Sequence, residues 1–139
     1  MKDETREAVQ QWRAKAQSDW TTVEILLASE RCPADAACFH CQQFVEKLLK
    51  ALLTSHSNEV PKTHDVRRLI QLAEPFAPEL SRFADASDLL TAHGVETRYP
   101  DDWREIEATE MNEVVDLAKA LGALLSAKLD NRAMIEPEA

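Results

Sequence analysis

From Glu4 to Ala28 the chain carries neither glycine nor proline, and Val9, Trp12, Ala16, Trp20, Val23 and Leu27 recur at every third or fourth position. A stretch of that length and period is an amphipathic helix, because a half-buried strand would alternate instead. The whole sequence holds only two glycines. Gly-rich phosphate loops, dinucleotide-binding fingerprints and tight β-hairpins each need glycine where φ is positive or where backbone must approach a ligand. That argues against those architectures, and because no run of alternating apolar and polar residues competes as a strand, an all-α chain is expected.

Pro33 closes the first helix, since it disfavours helical geometry in the residue before it. A second helix is expected from Asp35 to Ser55, where Ala37, Cys41, Phe44, Val45, Leu48, Leu49 and Leu52 form a continuous apolar stripe. Ser57 to Pro61 reads as a turn, and Thr63 as the N-cap of a short third helix over His64–Ala73. Pro75 and Pro78 close it. A fourth helix is predicted over Glu79–Ala92, ended by His93-Gly94, and a last one over Thr109–Leu129. A chain of 139 residues with 45% hydrophobic composition makes one domain. The expected fold is an up-and-down antiparallel helical bundle of four to five helices over residues 1–129, followed by a frayed tail over 130–139.

Sixteen Lys and Arg against 25 Asp and Glu leave a net charge of -9. A general DNA-binding surface is not expected from such a chain, so a polyanion would have to be met by a local patch. No apolar run approaches the roughly 18 residues that span a membrane. The charged N-terminus and the odd set Cys32, Cys38 and Cys41 point to a cytoplasmic protein with reduced thiols. Zinc is not expected: Cys38 and Cys41 share the apolar face, His40 projects about 100° away from Cys41, and no second ligand pair completes four donors.

The second helix has a second side. Phe39, His40, Gln43, Glu46, Lys47 and Lys50 lie away from the apolar stripe, an aromatic among groups that hydrogen-bond and pair charge. Such a face either meets another subunit or a ligand, or packs beneath the chain's own loops. Gln43 with Lys47 and Glu46 with Lys50 are also i,i+4 neighbours on the helix surface. Pro61-Lys62-Thr63-His64-Asp65, with Arg67 and Arg68, gathers cations at a helix start, where free N–H groups favour anions. That segment reads either as a phosphate site or as an N-cap followed by a solvated helix. In the loop from Glu96 to Trp103, Arg98 is suited to bidentate phosphate or carboxylate contacts, and Tyr99-Pro100 to holding the loop on the bundle. No Ser, His and acid trio announces a nucleophile.

Three of these segments together resemble one family. Ala37-Cys38-Phe39-His40-Cys41-Gln42-Gln43-Phe44-Val45-Glu46-Lys47-Leu48-Leu49-Lys50-Ala51-Leu52-Leu53 is similar to the signature helix of HEPN domains. Pro61-Lys62-Thr63-His64-Asp65 is similar to the helix start that follows it, and Thr97-Arg98-Tyr99-Pro100-Asp101 to the late loop motif. The resemblance covers roughly residues 8 to 129. It implies a helical bundle, usually a homodimer, often encoded beside a minimal nucleotidyltransferase in a prokaryotic toxin-antitoxin pair. Many members are metal-independent ribonucleases carrying Arg, four to six residues, then His. Here each Arg that precedes a His lies too far ahead of it, and His93 comes before Arg98.

The resemblance therefore implies a nucleotide-binding or nucleotidyltransferase-partner module without a cofactor. Phe39, His40, Gln43, Glu46 and Lys47 would line the polar helix face, and Lys62, His64, Arg98 and Tyr99 the phosphate side. The rival reading is a ribonuclease that uses His64 and Arg98 for proton transfer and phosphate stabilisation. Lys47, Lys50, Lys62, Arg67, Arg68 and Arg98 all fall in or near the three motifs, so one locally basic face is expected on an acidic bundle.

Overall fold

Three long or central helices follow directly from the periodicity, and they organise everything else. The computed structural model describes residues 1–56, 59–94 and 100–134, and all regular structure among them is helical. Helix α1 spans Asp3–Ala28, α2 Ala34–Ser55, α3 Val66–Ala73, α4 Ser87–Thr91 and α5 Ala108–Ala133, with 3-10 turns at Pro78–Phe83 and Pro100–Asp102. Asp3 and Glu4 open α1 and Glu110 lies in the first turn of α5, where negative charge complements the exposed N–H groups.

α2 is the central element, packed on α1 and α5 and more lightly on α3 and α4. Leu49, Leu52 and Leu53 of α2 meet Leu69 and Ile70 of α3, Leu90 of α4 and Leu121, Leu125 and Leu129 of α5 in one fully buried core. α1 runs antiparallel to its neighbours: Trp20 packs on Phe44 while Trp12 lies beneath Lys50, and Arg13 reaches Asp130 near the end of α5. α5 runs in the same direction as α2, with Cys32 beside Met111, Phe44 over Gly122 and Ser55 joined to Arg132. The α3–α4 segment makes this possible by carrying the chain back to the end at which α2 began.

Three boundaries differ from the sequence expectation. The helix expected over Glu79–Ala92 is two pieces, a 3-10 turn from Pro78 and the short α4, because the intervening residues Ala84 to Ala86 form a turn instead. Helix α3 begins at Val66 rather than His64: Asp65 is extended and its carboxylate accepts the Arg68 backbone N–H, whereas Thr63 Oγ1 accepts from the backbone of Asp65 one step earlier. Helix α5 continues past Leu129 to Ala133, tied down by Arg13–Asp130 and by Arg132 donating to the Ser55 carbonyl.

Candidate functional site

A helix surrounded by neighbours must bury whatever lies on every side of it, and α2 carries charges on the side that meets α1 and the approach to α3. Burying an unpaired charge is prohibitive, so each is answered by a partner. Glu46 is the clearest case, with its side chain 4% exposed. Its Oε1 accepts from Gln42 Nε2 at 3.0 Å and lies 2.8 Å from His64 Nδ1, while Oε2 accepts from Lys50 Nζ at 3.2 Å. Lys50 is itself buried and lies over the Trp12 ring, 5.7 Å from its centroid.

Gln42 extends this network in two directions. Its carbonyl accepts from Gln43 Nε2 at 2.6 Å, and its amide also points at the backbone carbonyl of His64, 3.4 Å away. Gly94 comes up against the same amide: a Cβ placed there would sit 3.4 Å from the Gln42 carboxamide carbon. The signature helix and the Lys62-Thr63-His64 segment therefore converge on Gln42 and Glu46, and Gly94 closes against Gln42. Arg98 and Tyr99, expected at this site, lie outside the described residues.

Two further carboxylates are treated the same way. Asp19, buried in α1, lies 2.8 Å from His40 Nδ1 and accepts from Lys47 Nζ at 2.5 Å. Glu110 lies 2.8 Å from Nε2 of the buried His93 and accepts two hydrogen bonds from Arg104. The Arg104 guanidinium holds the Glu110 carboxyl below its ordinary range, with burial opposing and His93 assisting. In each of the three centres one carboxylate thus serves one histidine and one permanent cation.

The second side of α2 is largely internal as a result. His40 and Lys47 turn to Asp19 of α1, Glu46 and Lys50 are buried, and Gln43 bonds Gln42 rather than Lys47. Of the i,i+4 pairs expected on this helix, Glu46–Lys50 forms. Phe39 is half-buried and its ring stands edge-on to His40, with centroids 5.2 Å apart. The locally basic face shrinks accordingly, since Lys47, Lys50 and Arg67 are each neutralised, Arg67 by Asp85 and Asp88. Among the described residues, Lys62 and Arg68 stay exposed near His64, whose own side chain is 69% exposed.

Sequence reasoning did not single out Asp19, Gln42, His93, Arg104 or Glu110. Asp19 had a legible signal, because it falls at the spacing of Ala16 and Val23 on the buried face of α1, where a carboxylate needs a partner. Gln42 had the same signal, falling at the spacing of Cys38 and Val45 on the buried face of α2, whereas Glu110 had none, being one helical polar residue among many. The thiols of Cys38 and Cys41 are pushed up to about 12, chiefly by burial, and are inert. Among the described residues no three His, Cys, Asp or Glu side chains are grouped to hold a metal ion, and no helix is long and apolar enough to cross a membrane.

Comparison with known proteins agrees with the helical fold. No curated protein matches the chain. Among solved structures, the crystal structure of TT1696 from Thermus thermophilus is similar, at 23% identity and a TM-score of 0.61, covering 91% of this chain and 99% of that one. At that identity the likeness is one of fold. The HEPN domain model matches residues 9–128, from the first turns of α1 to the last turns of α5 and across all the residues that meet at Gln42 and Glu46. The chain belongs to the HEPN domain family.

Proposed function

We propose that this HEPN chain is a binding module that takes a nucleotide by its phosphate at the edge formed by Lys62, His64 and the start of α3, and that it works beside a minimal nucleotidyltransferase in a prokaryotic toxin-antitoxin-type pair, as a homodimer. The observation that supports the reading is the convergence of two family-like segments on Gln42 and Glu46, which leaves His64 outward, with Lys62 and Arg68 exposed two residues before it and four after it in the chain. With two glycines in the chain, a phosphate there is held by side chains rather than by a Gly-rich loop. The absence of an Arg followed at four to six residues by His favours binding over cleavage.

Calorimetry with AMP and ATP tests this reading. Binding that weakens severalfold in Lys62→Ala and His64→Ala and falls with added salt is the expected result. No heat with either nucleotide at millimolar concentration overturns it. The partner role is tested by co-purification with a nucleotidyltransferase encoded next to the chain, and the dimer by sedimentation at tens of micromolar.

One observation favours a second reading. An exposed imidazole whose Nδ1 is held by a buried carboxylate is the arrangement of an oriented acid-base group, so His64 is where a noncanonical ribonuclease would act. RNA cleavage by the purified chain that is lost in His64→Ala would replace the binding-only account.

A further inference from the structure

Where α2 begins, a surface cavity of about 230 Å³ opens between Ala34 and Asp35 on one side and Trp103 to Ile106 on the other, with Cys32 in its wall. Pockets that enclose a whole ligand run to roughly 300–1,000 Å³, so this one has room for a single side chain rather than a nucleotide. Trp103 is 63% exposed, and among the described residues it is the one aromatic ring among the exposed large hydrophobics. Much of its indole is therefore open to water beside the cavity.

The charges lining the cavity do not balance. Arg104 is cancelled by Glu110, which accepts two hydrogen bonds from it. Asp35 accepts from the backbone N–H of Ala36, Glu105 is exposed, and neither has an ion-pair partner among the described residues. The start of α2 contributes about half a positive charge, which leaves the two carboxylates in excess. The net charge of -9 draws cations to the chain as a whole.

An exposed indole beside unpaired carboxylates is suited to a cation. A guanidinium fits better than an ammonium, because its flat face stacks on the indole while its N–H fork meets a carboxylate. We infer that this cavity is the docking point for an arginine side chain on a basic segment of a partner protein, stacked on Trp103 and held by Asp35 and Glu105. The surface is separate from the proposed nucleotide edge, since Asp35 precedes Glu46 by about 16 Å along α2.

Cys32 supplies a local reporter, being half-buried in the cavity wall while Cys38 and Cys41 are buried. A peptide of alternating arginine and glycine, at millimolar concentration and physiological salt, is expected to slow iodoacetamide labelling of Cys32 by about threefold or more, and its lysine counterpart by less. Trp103→Ala should remove the protection, as should Asp35→Asn combined with Glu105→Gln, each compared with its own labelling rate without peptide. Glu4→Gln combined with Glu7→Gln is an equal loss of charge at the other end of the bundle, where Arg6 meets the Ala133 carbonyl, and should keep the protection. Thermal melts establish that the variants fold. Unprotected Cys32 in the parent chain, protection that survives Trp103→Ala, or protection lost with Glu4 and Glu7 overturns the inference. Equal protection by the lysine peptide overturns the assignment to arginine.

Discussion

Glu46 of α2 and His64, 18 residues apart in sequence, meet at 2.8 Å with the carboxylate buried and the imidazole facing out. The asymmetry predicts unequal consequences for removing each partner. Glu46→Ala strands the Lys50 ammonium in the core and is expected to cost about 3–5 kcal/mol, as for a broken buried ion pair. His64→Ala removes an exposed ring and is expected to cost about 1 kcal/mol or less. Urea midpoints at unchanged m-value measure both, and equal losses would show that the pair is not organised around Glu46.

Asp19 binds α1 to α2 through His40 and Lys47. Lys47 and His40 keep partial exposure, so Asp19→Ala is expected to cost about 2–3 kcal/mol rather than the full buried-pair value. Asp19→Asn retains one acceptor and should cost less. Denaturant unfolding orders the two variants, and the reverse order would remove the electrostatic account.

Gly122 lies beneath the Phe44 ring, where an added Cβ would come 2.6 Å from Phe44 Cε2. Helix propensity alone makes Gly→Ala stabilising by about 1 kcal/mol, while overpacking costs about 1–3 kcal/mol. Trp20, tilted against the same ring with centroids 4.9 Å apart, limits its retreat, so Gly122→Ala is expected to be net destabilising by about 1 kcal/mol. A Phe44→Leu background should reduce or reverse that sign, and a double-mutant cycle reads the coupling directly.

His56 stacks on Phe76 with ring centroids 4.0 Å apart, and burial together with Arg132 holds its imidazole below the ordinary value of 6.5. A depressed histidine binds its proton more readily unfolded than folded. Its contribution to stability is therefore present above about 6.5 and is lost as pH falls through the lower folded value. Glu110, also depressed, adds a loss of the same sign further down, below 4.5. Thermal melts of His56→Phe should show a flatter decline in the upper part of that acid limb and the parent decline lower down. An unchanged slope throughout would separate His56 from the acid sensitivity.

Cys38 and Cys41 are buried and their thiols pushed up to about 12, whereas Cys32 is half-buried beside Met111. A thiol reagent at neutral pH is expected to modify Cys32 first, and the other two only on unfolding. Mass mapping after brief labelling checks the order.

Much of the fold was legible because apolar period is a local property. Val9, Ala16 and Val23 marked α1, and Leu48, Leu49 and Leu52 marked α2, without reference to anything distant. The Glu79–Ala92 stretch misled because its apolar spacing survives in two short turns joined by a bend, which period cannot distinguish from one helix. At the site, residue types pointed to His64 and Glu46, but only as members of separate segments. The neighbours of α2's polar side are not legible in the sequence, since a helical wheel tells which residues share a face and not how many neighbours surround the helix.

The sequence by itself determined an all-α chain and the residues of its core, because period, proline placement and scarcity of glycine act within a few residues. The tertiary structure alone decided which charges are spent on one another. Asp19 with Lys47, Glu46 with His64 and Glu110 with His93 are separated by 28, 18 and 17 residues. Each pairing exists because helix packing buries one polar group, the carboxylate of Asp19 or Glu46 or the imidazole of His93, and a partner of complementary chemistry must answer it, a requirement set by the assembled bundle and by no local stretch of chain.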